Sequence, residues 1–178
     1  MVRKNIQLAA VLALALLLGA APALAEKLSF DHRLSPPLKA VLDSHDPAMI
    51  DYNDKNPRHV VDVIAVRGQS ASDWTEALVI RSRLPDRRVR TAPDWMAEIR
   101  AEAGRGCRSE FNTIAEDANS VTFERHSSGC AANYPPVGIY RVVAGQRSLF
   151  MLAVVARDGI GAEARRQWLD LLASARIE

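Results

Sequence analysis

Val137-Gly138-Ile139-Tyr140-Arg141-Val142-Val143, a turn at Ala144-Gly145-Gln146-Arg147, and Ser148-Leu149-Phe150-Met151-Leu152-Ala153-Val154-Val155-Ala156 read as a β-hairpin. The second arm is apolar at nearly every position. A half-exposed strand would alternate, so this run is expected at the centre of a sheet or covered on both faces. A buried helix is the competing reading. The run's length, its β-branched and aromatic content and the glycine-containing turn before it favour the strand. The remaining segments then read as strands that flank the hairpin or helices that cover it. This gives a fold class and leaves the activity open.

The N-terminal segment stands apart. Arg3 and Lys4 precede the apolar run Leu8–Leu18, and Ala23-Leu24-Ala25 forms a small-x-small cleavage site. That pattern is a secretory leader, too short for a usual bilayer span. Without an Arg-Arg pair or a cysteine at the cleavage point, the general secretory route is expected, with no lipid anchor. Three parts follow: a signal peptide over residues 1–25, an N-terminal extension over 26–58, and one domain over 59–178. The mature chain is expected to be soluble, periplasmic or secreted, and without a transmembrane segment. Of the 23 basic residues the leader holds two, which leaves 21 against 21 acidic ones. A balanced charge gives no ground for nucleic-acid binding.

Cys107 and Cys130 are the only cysteines. In an exported chain the default is an intramolecular disulfide, closing a loop that stabilises the fold by roughly 3 kcal/mol. A redox pair would call for the C-x-x-C spacing, which is absent.

In the extension, Ser35-Pro36-Pro37 with Leu38, Val41 and Leu42 reads as a short capped helix. Ala48–Tyr52 and His59–Val66 read as strands, the second rich in valine. The metal candidates lie here: His45, Asp51, Asp54 and His59, with Asp46 and Asp62 nearby. Their types suit zinc or a harder cation. Asp51–Asn56 begins like a calcium loop but puts Lys55 at a ligand position and lacks the glycine at the sixth. Turn-forming Asp and Asn explain most of the set without a metal, and no motif points to a cofactor.

Trp74 to about Arg83 reads as a long strand, with Trp74, Glu76, Leu78 and Ile80 on one face. Glu76 on an apolar face needs an exposed strand end or a partner, for which an arginine is the obvious choice. The phrase Gly68-Gln69-Ser70, then Asp73-Trp74-Thr75-Glu76 and Leu78, resembles a signature of small, uncharacterised exported proteobacterial proteins. Asn is more usual there where this chain has Asp73. The order of helix, cysteine, strands, hairpin and Trp-bearing C-terminal helix is similar too. More distantly it resembles the PsbP/Mog1-like layout of an antiparallel sheet flanked by helices. The resemblance spans His59–Ile177 and carries over no catalytic residues.

Arg81, Arg83, Arg87, Arg88 and Arg90 place five arginines in ten positions. They suit contact with a phosphate, a lipid headgroup or an acidic protein; a solvated strand end and loop is the plainer reading. Thr91 caps a helix running to Ala103, with Gly104 and Gly106 ending it. Ser109–Ala115 and Ser120–His126 pair as strands, Val121 and Phe123 facing one way, Thr122 and Glu124 the other. Ala162–Ala175 is a helix whose Trp168, Leu171 and Leu172 dock on the sheet.

The fold class is therefore α+β: a mainly antiparallel sheet of five to seven strands, flanked by a mid-chain helix and a C-terminal helix. No nucleophile elbow, phosphate loop, H-E-x-x-H helix or dinucleotide fingerprint occurs. The leading functional expectation is a non-catalytic binding or accessory module. It would contact a protein or small ligand through Trp74, Glu76, Tyr134 and the arginines. A small metal-dependent hydrolase, or an inhibitor or immunity-type protein acting on an exported enzyme, is the alternative.

Overall fold

The computed structural model describes residues 26–31, 55, 59–68, 74–131 and 134–178. In chain order the elements are β1 (Leu28–Ser29), β2 (His59–Gly68), β3 (Trp74–Arg83), α1 (Ala92–Gly106), β4 (Arg108–Glu116), β5 (Ser120–Ser128), β6 (Val137–Ala144), β7 (Leu149–Ala156), α2 (Ala162–Ala173) and β8 (Arg176–Ile177). Strands β2 to β7 form a six-stranded antiparallel sheet in the order β2-β3-β7-β6-β5-β4, and β1 pairs with β8. The expected hairpin is the two middle strands.

Its apolar run is sorted by the pleat. Leu149, Met151 and Ala153 of β7 join Tyr140 and Val142 of β6 on the face covered by Trp95, Met96 and Ile99 of α1. Leu152 and Val154 join Ile139 and Val143 on the other face, under Trp168, Leu171 and Leu172 of α2. One helix on each face explains why β7 shows no polar alternation. The two tryptophans anchor the layers, being 1% and 2% exposed at Trp95 and Trp168.

Helix α1 starts at a capping box: the Thr91 hydroxyl accepts from the Asp94 N–H at 3.2 Å while the Asp94 carboxylate accepts from the Thr91 N–H at 3.0 Å. It runs further than the glycines suggest. Gly104 lies inside it, and the Cys107 N–H still bonds the Ala103 carbonyl at 3.0 Å. A disulfide joins Cys107 to Cys130, with 4.7 Å between their Cα atoms. The helix end is thereby tied to the loop after β5, which holds the last turn where glycine alone would let it fray.

Helix α2 is shorter than its apolar pattern, since the chain leaves it after Ala173 to form β8. Strand β8 pairs with β1, and Leu28 of β1 and the following Phe30 pack into the α2-side core. The first residues of the expected extension therefore belong to the domain. Glu26 adds a second tie: its carboxylate accepts from the Gln146 and Arg147 N–H groups of the central hairpin turn at 2.6 and 3.1 Å. The expected helix at Ser35–Leu42, the strand at Ala48–Tyr52 and the leader lie outside the described residues. Among the described residues no helix is long and apolar enough to cross a membrane.

Candidate functional site

Strand β5 carries the chemistry of the sheet. Alternation puts Val121, Phe123 and Arg125 on the α1 face and Thr122, Glu124 and His126 on the α2 face. Glu124 and Arg125 are both nearly closed off from solvent, at 8% and 3% exposure, and the chain treats the two charges differently.

Glu124 is paired. Arg165, on the first turn of α2, reaches it with Nη2 at 2.9 Å and Nε at 3.3 Å, and His126 Nε2 lies 3.5 Å away. The Arg165 hydrogen bonds hold the Glu124 carboxyl below its ordinary 4.5, against an opposing effect of burial. This forked ion pair pins the start of α2 to β5.

Arg125 is not paired in that way. The α1 face beside it carries an aromatic row: Phe111 and Phe123 with centroids 6.0 Å apart, then Phe123 and Tyr140 stacked at 4.9 Å. The Arg125 guanidinium ends the row, 5.6 Å from the Tyr140 ring centroid and 4.5 Å from that of Tyr134. Its Nη1 donates to the Tyr134 hydroxyl and its Nη2 to the Pro135 carbonyl at 2.8 Å. Its Nε–H is buried and meets no acceptor among the described residues. No carboxylate among the described residues reaches it; the guanidinium is held by neutral oxygens and ring faces.

Local sequence explains this geometry. Gly138 lies opposite Arg125 across β5 and β6, and a Cβ there would fall 2.6 Å from the Tyr140 ring. Glycine at 138 thus lets the ring lie along the strand toward the guanidinium. The loop carrying Tyr134 is tied at Ser127, whose N–H bonds the Pro136 carbonyl at 2.7 Å, and by the Cys130 disulfide. Burial pushes the Tyr140 phenol up to about 12, the Arg125 charge opposing it.

The residues singled out in the sequence do not form one site. Glu76 is buried on the α2 face of β3 and accepts from the indole N–H of Trp168, a partner 92 positions away that the sequence reading did not foresee. Arg83 is engaged by Glu98 at 2.5 Å and Asp86 at 2.6 Å, with its guanidinium 5.5 Å from the Trp95 ring. Arg81 lies on the same strand. Arg87 and Arg88 are exposed on a turn closed by Asp86, which accepts from the Arg88 and Val89 N–H groups at 2.8 and 2.9 Å.

Glu76 aligns with Ala156 and so with Val137, at the strand end near Tyr134; Arg83 aligns with Leu149 and Ala144, at the other end. Seven residue steps along β3 separate Glu76 from Arg83, about 23 Å at the usual rise. Trp74 opens β3 at the Glu76 end. Of the metal candidates, His59 opens β2, while His45, Asp51 and Asp54 lie outside the described residues. Among the described residues no three His, Cys, Asp or Glu side chains converge as a metal site would.

The sequence reading passed over Arg125, Tyr140 and Gly138. The available signal was a charge in step with Val121 and Phe123, the same anomaly that drew attention to Glu76. No family model, curated protein or solved structure matches the chain.

Proposed function

We propose that the chain is exported by its leader and acts outside the cytoplasm as a non-catalytic binding or accessory module. The contact region is the strand end where the exposed Tyr134 lies over the buried Arg125, next to the buried Tyr140. The observation that carries this reading is a buried guanidinium held by the Tyr134 hydroxyl, the Pro135 carbonyl and ring faces, with no carboxylate among the described residues reaching it. A guanidinium stays protonated in proteins, and the Tyr140 phenol is held protonated to about 12. Both are fixed hydrogen-bond donors near neutral pH, suited to recognition and unsuited to shuttling a proton. The disulfide beside them, and the leader pattern before them, fit an oxidising compartment.

Thermal melts of the oxidised mature protein test the reading, with small anions, divalent metals, chelator and lipids added in turn. A ligand at a hundred times its dissociation constant adds about 2.7 kcal/mol, a shift of several degrees for a domain of this size. The expected result is a shift with anionic ligands that Arg125→Lys reduces. A shift confined to a metal and lost in chelator would replace this reading with a metal-dependent one.

A further inference from the structure

A buried charge is ordinarily matched by an opposite charge, because desolvation is costly and neutral acceptors repay little of it. This chain follows the rule at Glu124 and departs from it one residue later. Arg125 has five N–H donors. Among the described residues the Tyr134 hydroxyl and the Pro135 carbonyl accept two of them, and the buried Nε–H meets no acceptor. Tyr134, the member of the cluster open to solvent at 37% exposure, lies over the guanidinium.

We infer that Arg125 is the receptor for a carboxylate, carried by a small organic acid or by a protein side chain or C-terminus, which displaces the Tyr134 hydroxyl from the guanidinium. The inference rests on the binding-module reading and gives it a ligand class. Three features select a carboxylate. The cluster holds one cation, so a monoanion leaves it neutral. The guanidinium matches a planar carboxylate with two parallel hydrogen bonds, and the Nη1 that the Tyr134 hydroxyl vacates forms such a fork with Nη2. The Tyr134 and Tyr140 rings supply apolar walls for the organic part of the ligand, and their hydroxyl protons can turn toward the incoming oxygens.

The test follows the Arg125 Nε–Hε resonance in 1H–15N spectra of the oxidised protein. The additives are acetate, benzoate, a short peptide with a free C-terminus and the same peptide amidated, at matched ionic strength, with inorganic phosphate in parallel. The expected result is a saturable movement of Nε–Hε with each carboxylate and none with the amidated peptide. A peptide that saturates far below acetate and benzoate identifies a protein partner as the source; comparable small acids identify a free metabolite. Arg125→Lys, followed at the Tyr134 amide, weakens the response at least about tenfold.

An equal response to phosphate would overturn the carboxylate class. Saturable changes elsewhere with Nε–Hε unmoved would overturn the inference while the binding-module reading stands. A spectrum unchanged by every additive would overturn it as well, and leave that reading to the wider melt comparison. The wild-type resonance decides each case even where a variant fails to fold.

Discussion

Two neighbouring residues of β5 show how alternation assigns different work to similar chemistry. Glu124 is locked to Arg165, and its folded-state carboxyl is held below the ordinary 4.5. A carboxyl depressed on folding stabilises the protein above its unfolded value, and that contribution is lost as pH falls through the folded value. Asp86, Asp94 and Asp117 are depressed too, chiefly by the Val89 N–H, the Arg90 N–H and the Ser120 hydroxyl, and act in the same direction. Stability should therefore decline below about pH 4.5, with Glu124→Gln showing a shallower decline in denaturant melts across that range. Gly138 offers a second test on the opposite face. Its missing Cβ makes space for the Tyr140 ring, so Gly138→Ala should cost about 1–3 kcal/mol, as overpacking does. The near-UV circular dichroism of the aromatic row should change with it; an unchanged spectrum and melt would mean the ring moves aside freely.

The elements obey their local signals except where a distant contact outweighs them. Gly104 reads as a helix end, yet α1 continues to Gly106 because the Ala103 carbonyl is satisfied by Cys107, itself tethered to Cys130. A Cβ at Gly104 meets nothing within 4 Å, and the backbone there is helical. Gly104→Ala should thus raise stability by about 0.5–1 kcal/mol, seen as a higher melting temperature; a lower one would show that the helix frays before this residue. The β4 edge fits a managed edge strand. It is charged at Arg108, Glu110 and Glu116 and carries a register shift between Thr113 and Ala115. Its partner β5 then holds two buried charges, one on each face.

At the scale of the whole molecule, two long-range ties close the fold. The disulfide spans 23 positions and should contribute about 3 kcal/mol, so reduction or a Cys107→Ser, Cys130→Ser double variant should lower the denaturant midpoint accordingly. The same variant should loosen the loop carrying Tyr134, which slower-exchanging amides around Ser127 in the oxidised form would reveal. The second tie is the chain's two ends: β1 pairs with β8, and Glu26 caps the central turn. Deleting residues 26–31 removes Leu28 and Phe30 from the α2-side core, and a melting temperature lower by several degrees is expected.

The sequence by itself determined the long strands, the mid-chain helix with its Thr91 cap, the C-terminal helix, the cysteine pair and the central place of the hairpin. Each of these is written in local periodicity or local chemistry, where neighbours three, four or two positions apart report a shared face. Only the tertiary structure decided that β1 and β8 exist, since two-residue strands have no period to read. Only it could give Glu76 the indole of Trp168, pair Glu124 with Arg165, and leave Arg125 among tyrosines. Alternation says which face a side chain takes; what covers that face is set by segments tens of residues away, and a buried charge is decided by its cover.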